Sequence, residues 1–116
     1  MDREFIVQLS PELFKVKTDI EKELFEGNKT NERLYSLILK AIQFLKDKRT
    51  GLPVPKKLPI YSYYEKKYGI TNLFLIKLTR GSRGVYTNVS GGELKVLQII
   101  LEVDEDHGEY EKKGHY

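Results

Sequence analysis

Three of the four prolines fall in one stretch, Leu52 to Pro59, which reads "LPVPKKLP". Proline has no backbone N–H and a locked φ, so this stretch neither continues a helix nor forms a central strand. It reads as an extended connector crossing the surface, and the periodicity of the chain differs on its two sides. Before it, Phe5, Val7 and Leu9 alternate with Ile6 and Gln8, which predicts a strand over Glu4 to Leu9. Ser10 and Pro11 then form a helix start, and Leu13, Val16, Ile20 and Leu24 recur at spacings of three and four until Gly27. Thr30 or Asn31 caps a second helix, whose apolar stripe runs through Leu34, Leu37, Ile38, Ala41, Ile42 and Leu45. The two helices are expected to form an antiparallel hairpin.

After the connector the period changes to two. Leu73 to Leu78 reads as a strand, "TRGSRG" as a turn, Val85 to Val89 as a strand, "SGG" as a turn, and Leu94 to Val103 as a long strand. In the last of these, Leu97, Ile99, Leu101 and Val103 share a face by alternation, which should be the core face. The expected fold is therefore α+β: an N-terminal strand, a helical hairpin packed on an antiparallel sheet, and a three-strand meander. The acidic tail from Asp104 allows a short C-terminal helix over Gly108 to Lys113. At 116 residues the chain suits one domain over residues 1–116.

Composition narrows the chemistry. The absence of cysteine removes disulfides, thiolate nucleophiles and Cys-based zinc sites. The only imidazoles, His107 and His115, do not make a metal motif, so neither a metal nor another cofactor is expected. No apolar run reaches the roughly 20 residues of a membrane span, and Met1 to Ser10 lacks the apolar middle of a signal peptide, so a cytoplasmic location is expected.

Charge is unevenly spread. Residues 46–83 carry 10 Lys/Arg against 2 Asp/Glu, whereas residues 84–116 carry 3 against 7. A basic segment of that density suits phosphate contact, and it also suits a solvated face. Within it "YSYYEKKY", residues 61–68, combines rings that stack on bases with lysines that follow a backbone. Aromatics in a connector also pack on a small sheet. Tyr68 is expected as a buried anchor, with one or two of Tyr61, Tyr63 and Tyr64 outward beside Lys66 and Lys67.

The meander places Lys77 near the end of one strand, Arg80 and Arg83 in or beside the turn, and Tyr86 on the next strand. Fixed cations beside a phenol suit a phosphodiester and the added charge of its transition state. The arginines equally suit a soluble turn, and Tyr86 a half-buried strand position. His107 and Tyr110 are the other candidates, since an imidazole titrates near neutrality; a lone His in a charged tail also suits plain surface.

Element order and wording together resemble the RelE/ParE superfamily of type II toxins. "KKYGITNLFLIKL" is similar to the family's K-K-Y-G-x-x-N-L-[WF]-R-Y-R-L, "SRGVYT" to its W-R-L-[IV]-Y-T, and "IILEVDEDHGEYEKKGHY" to its I-L-E-V-x-x-H-K-E-Y-E-K-R tail. The match runs from Lys67 to the end; residues 1–50 agree in element order. The resemblance to the RelE branch implies metal-independent cleavage of messenger RNA on the ribosome, by attack of the ribose 2′-hydroxyl on the adjacent phosphate. By position it assigns Arg83 and Lys77 to the phosphate and Tyr110 and His107 to proton transfer. Arg80, Tyr86, Lys56, Lys57, Lys66 and Lys67 are then expected to guide the RNA. Leu75, Ser82 and Gly108 depart from the pattern, standing where the family has an arginine, an aromatic and a lysine. The alternative is a non-catalytic module of the same fold, either a gyrase inhibitor or a degenerate toxin. Either implies a small acidic antitoxin as partner, through which the chain would assemble.

Overall fold

The computed structural model describes residues 3–106, 112 and 113. Its elements are β1 (Glu4–Leu9), α1 (Pro11–Phe25), α2 (Glu32–Lys46), β2 (Leu52–Pro53), α3 (Pro59–Tyr68), β3 (Phe74–Lys77), β4 (Arg83–Ser90) and β5 (Lys95–Asp104). The strands form one sheet in the order β1-β5-β4-β3-β2. It is mixed, with β1 parallel to β5 and the other pairs antiparallel. The expected strand, helical hairpin and meander are all present, and the fold is α+β. No helix among the described residues is long and apolar enough to cross a membrane.

Ser10 joins the first strand to the first helix. Its hydroxyl accepts the Leu13 N–H at 3.1 Å and donates to the Leu101 carbonyl at 2.8 Å, so one buried side chain caps α1 and ties it to β5. The apolar stripes of α1 and α2 then close one face of the sheet. Leu13, Ile20, Leu37, Ile38, Ala41 and Leu45 pack there against Ile76, Tyr86 and Ile100. Each such fully buried aliphatic side chain stabilises the fold by about 1.5–3 kcal/mol.

The other face is covered by α3, and here the structure departs from the connector expected for the tyrosine segment. Pro59 occupies the first turn, where a missing N–H costs nothing, and Gly69 ends the helix at φ 68°, a left-handed conformation suited to glycine. Ile60, Tyr61 and Tyr64 are buried against Val85 and Leu101, whereas Tyr68, expected to be buried, is only partly so. Of the proline stretch, Leu52 and Pro53 form a two-residue edge strand on β3, the place in a sheet where proline is tolerated.

Two helical layers have a consequence for β5, which lies between β1 and β4. Val85 pairs with Glu102 and Tyr86 with Ile100, so Leu101 is an extra residue, a β-bulge. The bulge breaks the alternation, and the single core face expected for Leu97, Ile99, Leu101 and Val103 does not form. Ile99 and Leu101 pack on the α3 side, whereas Val103 joins Ile100 on the α1–α2 side. Both faces of a central strand are buried, which is why its sequence is apolar almost throughout.

Candidate nucleic-acid interface

The hairpin of β3 and β4 assembles the cations of the meander. Lys77 and Arg83 are directly opposite in the ladder, and Arg80 lies in the turn between them. Beneath them Ser82 is fully buried and shares a hydrogen bond with Thr79, while the Leu78 N–H donates to the Ser82 carbonyl at 3.1 Å. The Arg83 guanidinium lies over this turn, 3.3 Å from the Ser82 carbonyl and 3.4 Å from that of Thr79. Ladder alternation puts Lys77 and Arg83 on the same side of the sheet as Val85, which is the α3 side. Among the described residues, no carboxylate forms an ion pair with Lys77, Arg80 or Arg83.

The remaining expected residues do not all join this corner. Tyr86 is 1% exposed, stacks on Phe74 and accepts the Gly51 N–H at 2.9 Å, so it is a core residue and offers no surface to RNA. Its position follows from the pleat: it faces the α1–α2 layer, opposite to Arg83. Lys67, expected on RNA, is held by Glu102 at 2.7 Å and Glu12 at 3.2 Å, so its charge is already met. Lys56, Lys57 and Lys66 are exposed, the first two ahead of α3 and the third on it, and no hydrogen bond or ion pair among the described residues links them to the corner. His107, Tyr110 and most of the expected C-terminal helix lie outside the described residues.

Beside the corner is a network that the sequence reading passed over. Glu102, on the α3 side just past the bulge, accepts from Lys67 Nζ at 2.7 Å, the Tyr68 hydroxyl at 2.7 Å and Lys113 Nζ at 2.6 Å. Lys113 also reaches Asp104 at 2.6 Å, the register partner of Arg83, and Tyr64 Oη at 3.4 Å. Burial opposes the Glu102 charge, but hydrogen bonds from Lys113, Lys67 and Tyr68 outweigh it and hold its carboxyl below the ordinary range. Burial raises the Tyr64 and Tyr68 phenols, and the negative charge of Glu102 raises both further, with its hydrogen bond adding to the effect at Tyr68. At neutral pH both therefore remain protonated, Tyr68 donating to Glu102 and Tyr64 accepting from Lys113. The clue in the sequence is a carboxylate inside the apolar run "VLQIILEV", since a charge in a buried strand needs partners.

The described residues can thus hold an anion at Lys77, Arg80 and Arg83. Among the described residues, no group of three or more acidic or imidazole side chains could hold a metal ion. No family model, curated protein or solved structure matches the chain.

Proposed function

We propose that this protein is a RelE-type toxin acting on messenger RNA at the ribosome, with Lys77, Arg80 and Arg83 holding a backbone phosphate. The observation that carries the reading is the placing of Lys77 and Arg83 directly opposite each other, with Arg80 beside them and no described carboxylate paired to any of the three. Like charges opposed across a ladder repel, and a bound phosphate removes that cost. In the proposed reaction the ribose 2′-hydroxyl loses its proton to the neutral imidazole of His107 and attacks the adjacent phosphorus. The P–O5′ bond breaks, leaving a 2′,3′-cyclic phosphate, and the departing O5′ takes a proton from the Tyr110 phenol or the His107 imidazolium to become a 5′-hydroxyl. The three cations offset the charge that builds on the phosphate oxygens. A small acidic antitoxin would neutralise the same cations.

A second reading, a binding module of the same fold without catalysis, is favoured by the position of α3. It covers the sheet face that carries Leu75, Val85 and Leu101, so where the resemblance places an arginine the chain has an apolar side chain packed under a helix. Induced expression separates the readings. Growth arrest with cut messenger RNA, relieved by Arg83→Ala, supports the nuclease. Arrest with intact RNA and damaged DNA supports a gyrase inhibitor, and unaffected growth a degenerate toxin.

A further inference from the structure

The basic middle of the sequence is divided between the two sides of the sheet, and the half away from the Lys77–Arg83 corner lines a groove of its own. At the end of α2, Lys46, Lys48 and Arg49 approach Arg3 and Phe5 at the start of β1. One recess of about 540 Å³ is lined by Arg3, Phe5, Val7, Leu45, Lys46 and Lys48, and by the one carboxylate of Glu4. A smaller one of about 100 Å³ shares Phe5, Leu45 and Lys48 with it and adds Arg49, Thr50 and Gln98. The four cations form no ion pair with a described carboxylate.

Three details point to a ligand with a flat polar ring and an anionic tail. Gln98 is only 7% exposed, it lines the smaller recess, and its side-chain amide makes no hydrogen bond with another described residue. The amide therefore offers both donors and an acceptor to whatever enters the recess. Phe5 is 52% exposed in the wall of the same recess, an aromatic face open to stacking. Lys48 takes φ 60°, a conformation usually given to glycine, and Arg49 is seated over the Phe44 ring at 4.6 Å, so the turn that presents both cations has a defined shape.

We propose that this groove binds a nucleotide. The base stacks on Phe5 with its polar edge on Gln98, and the phosphates lie along Lys48, Arg49, Lys46 and Arg3. The ligand is either a free nucleoside triphosphate or one residue of a single-stranded RNA. An acidic peptide would meet the cations but would bring no base to stack on Phe5. Gln98 pairs with Val7, whose side chain packs on the α1–α2 side, so this site and the Lys77–Arg83 corner are on opposite faces.

The test uses the Lys77→Ala/Arg83→Ala protein, so that its outcome does not depend on the corner. ATP is titrated by calorimetry, and a fluorescein-labelled hexaribonucleotide is followed by anisotropy at about 0.1 M salt. We expect at least one probe to bind, with affinity falling about tenfold or more on Phe5→Ala and on Gln98→Leu while thermal melting shows both variants folded. Tighter binding of ATP assigns the site to free nucleotides, and tighter binding of the hexaribonucleotide assigns it to RNA. Absence of binding by both probes at millimolar concentration overturns the proposal, as does binding indifferent to Phe5 and Gln98. It is also overturned if hexaglutamate binds as tightly as either probe and responds only to Lys48→Ala, which would mark a surface for acidic proteins.

Discussion

Replacing Glu102 with Gln keeps the shape of the side chain and removes the charge on which three donors converge. The Glu102 and Lys113 side chains are 15% and 14% exposed and lie 2.6 Å apart, so this pair is little screened by solvent. A hydrogen bond to a charged group contributes about 1.5–3 kcal/mol net. Lys67 is 36% exposed and adds only about 0.2–1 kcal/mol, as surface pairs do. Lys113 keeps Asp104 in the variant, which limits the loss. The substitution should therefore cost about 2–3 kcal/mol at pH 7, or a melting temperature lower by roughly 10 °C for a domain of this size. The pH dependence isolates the cause. Because the folded-state carboxyl titrates below its unfolded value, its contribution is complete above about pH 4.3 and is lost as pH falls through the folded value. Urea unfolding of both proteins should show the difference at pH 7 and its progressive disappearance in acid. A difference below about 0.5 kcal/mol at pH 7, or one equally large in strong acid, would refute the reasoning.

Other outcomes follow from the core. Tyr86→Phe retains the stack on Phe74 but leaves the buried Gly51 N–H without its acceptor, so it should cost about 1–3 kcal/mol and accelerate hydrogen exchange at that amide. Gly51→Ala would place a methyl 2.7 Å from the Leu75 carbonyl and 2.9 Å from the Tyr86 ring, so a loss of about 1–3 kcal/mol in chemical denaturation is expected. Arg80 is exposed and forms no ion pair with a described residue, so Arg80→Ala should leave the melting temperature within about 2 °C while weakening RNA binding and reducing its salt dependence.

The elements legible in the sequence were those with a single apolar face. The stripes of α1 and α2 and the Ser10–Pro11 start read directly, because amphipathic period and cap chemistry are local. The tyrosine helix was missed although Pro59 and Gly69 are ordinary start and stop signals, since three nearby prolines and a tyrosine-rich composition argued for an extended connector. The core face of β5 was misassigned because alternation presumes an unbroken ladder, and a bulge at Leu101 is set by pairing partners far away in the chain. At the site, Lys77 and Arg83 could be brought together from the hairpin alone. That Tyr86 would turn inward and Lys67 would be neutralised depended on Gly51, Glu12 and Glu102, and contacts of that range are not written in any local pattern.

The most direct test of the proposed function is primer extension on messenger RNA carried by purified ribosomes, with the protein, its Arg83→Ala variant and its Lys77→Ala variant added in parallel. New 5′ ends at codons in the decoding site with the unaltered protein, reduced at least a hundredfold by either substitution in proteins of unchanged melting temperature, are predicted for a phosphate held by these two cations. Uncut message with the unaltered protein, or cutting of equal extent by all three, would contradict it.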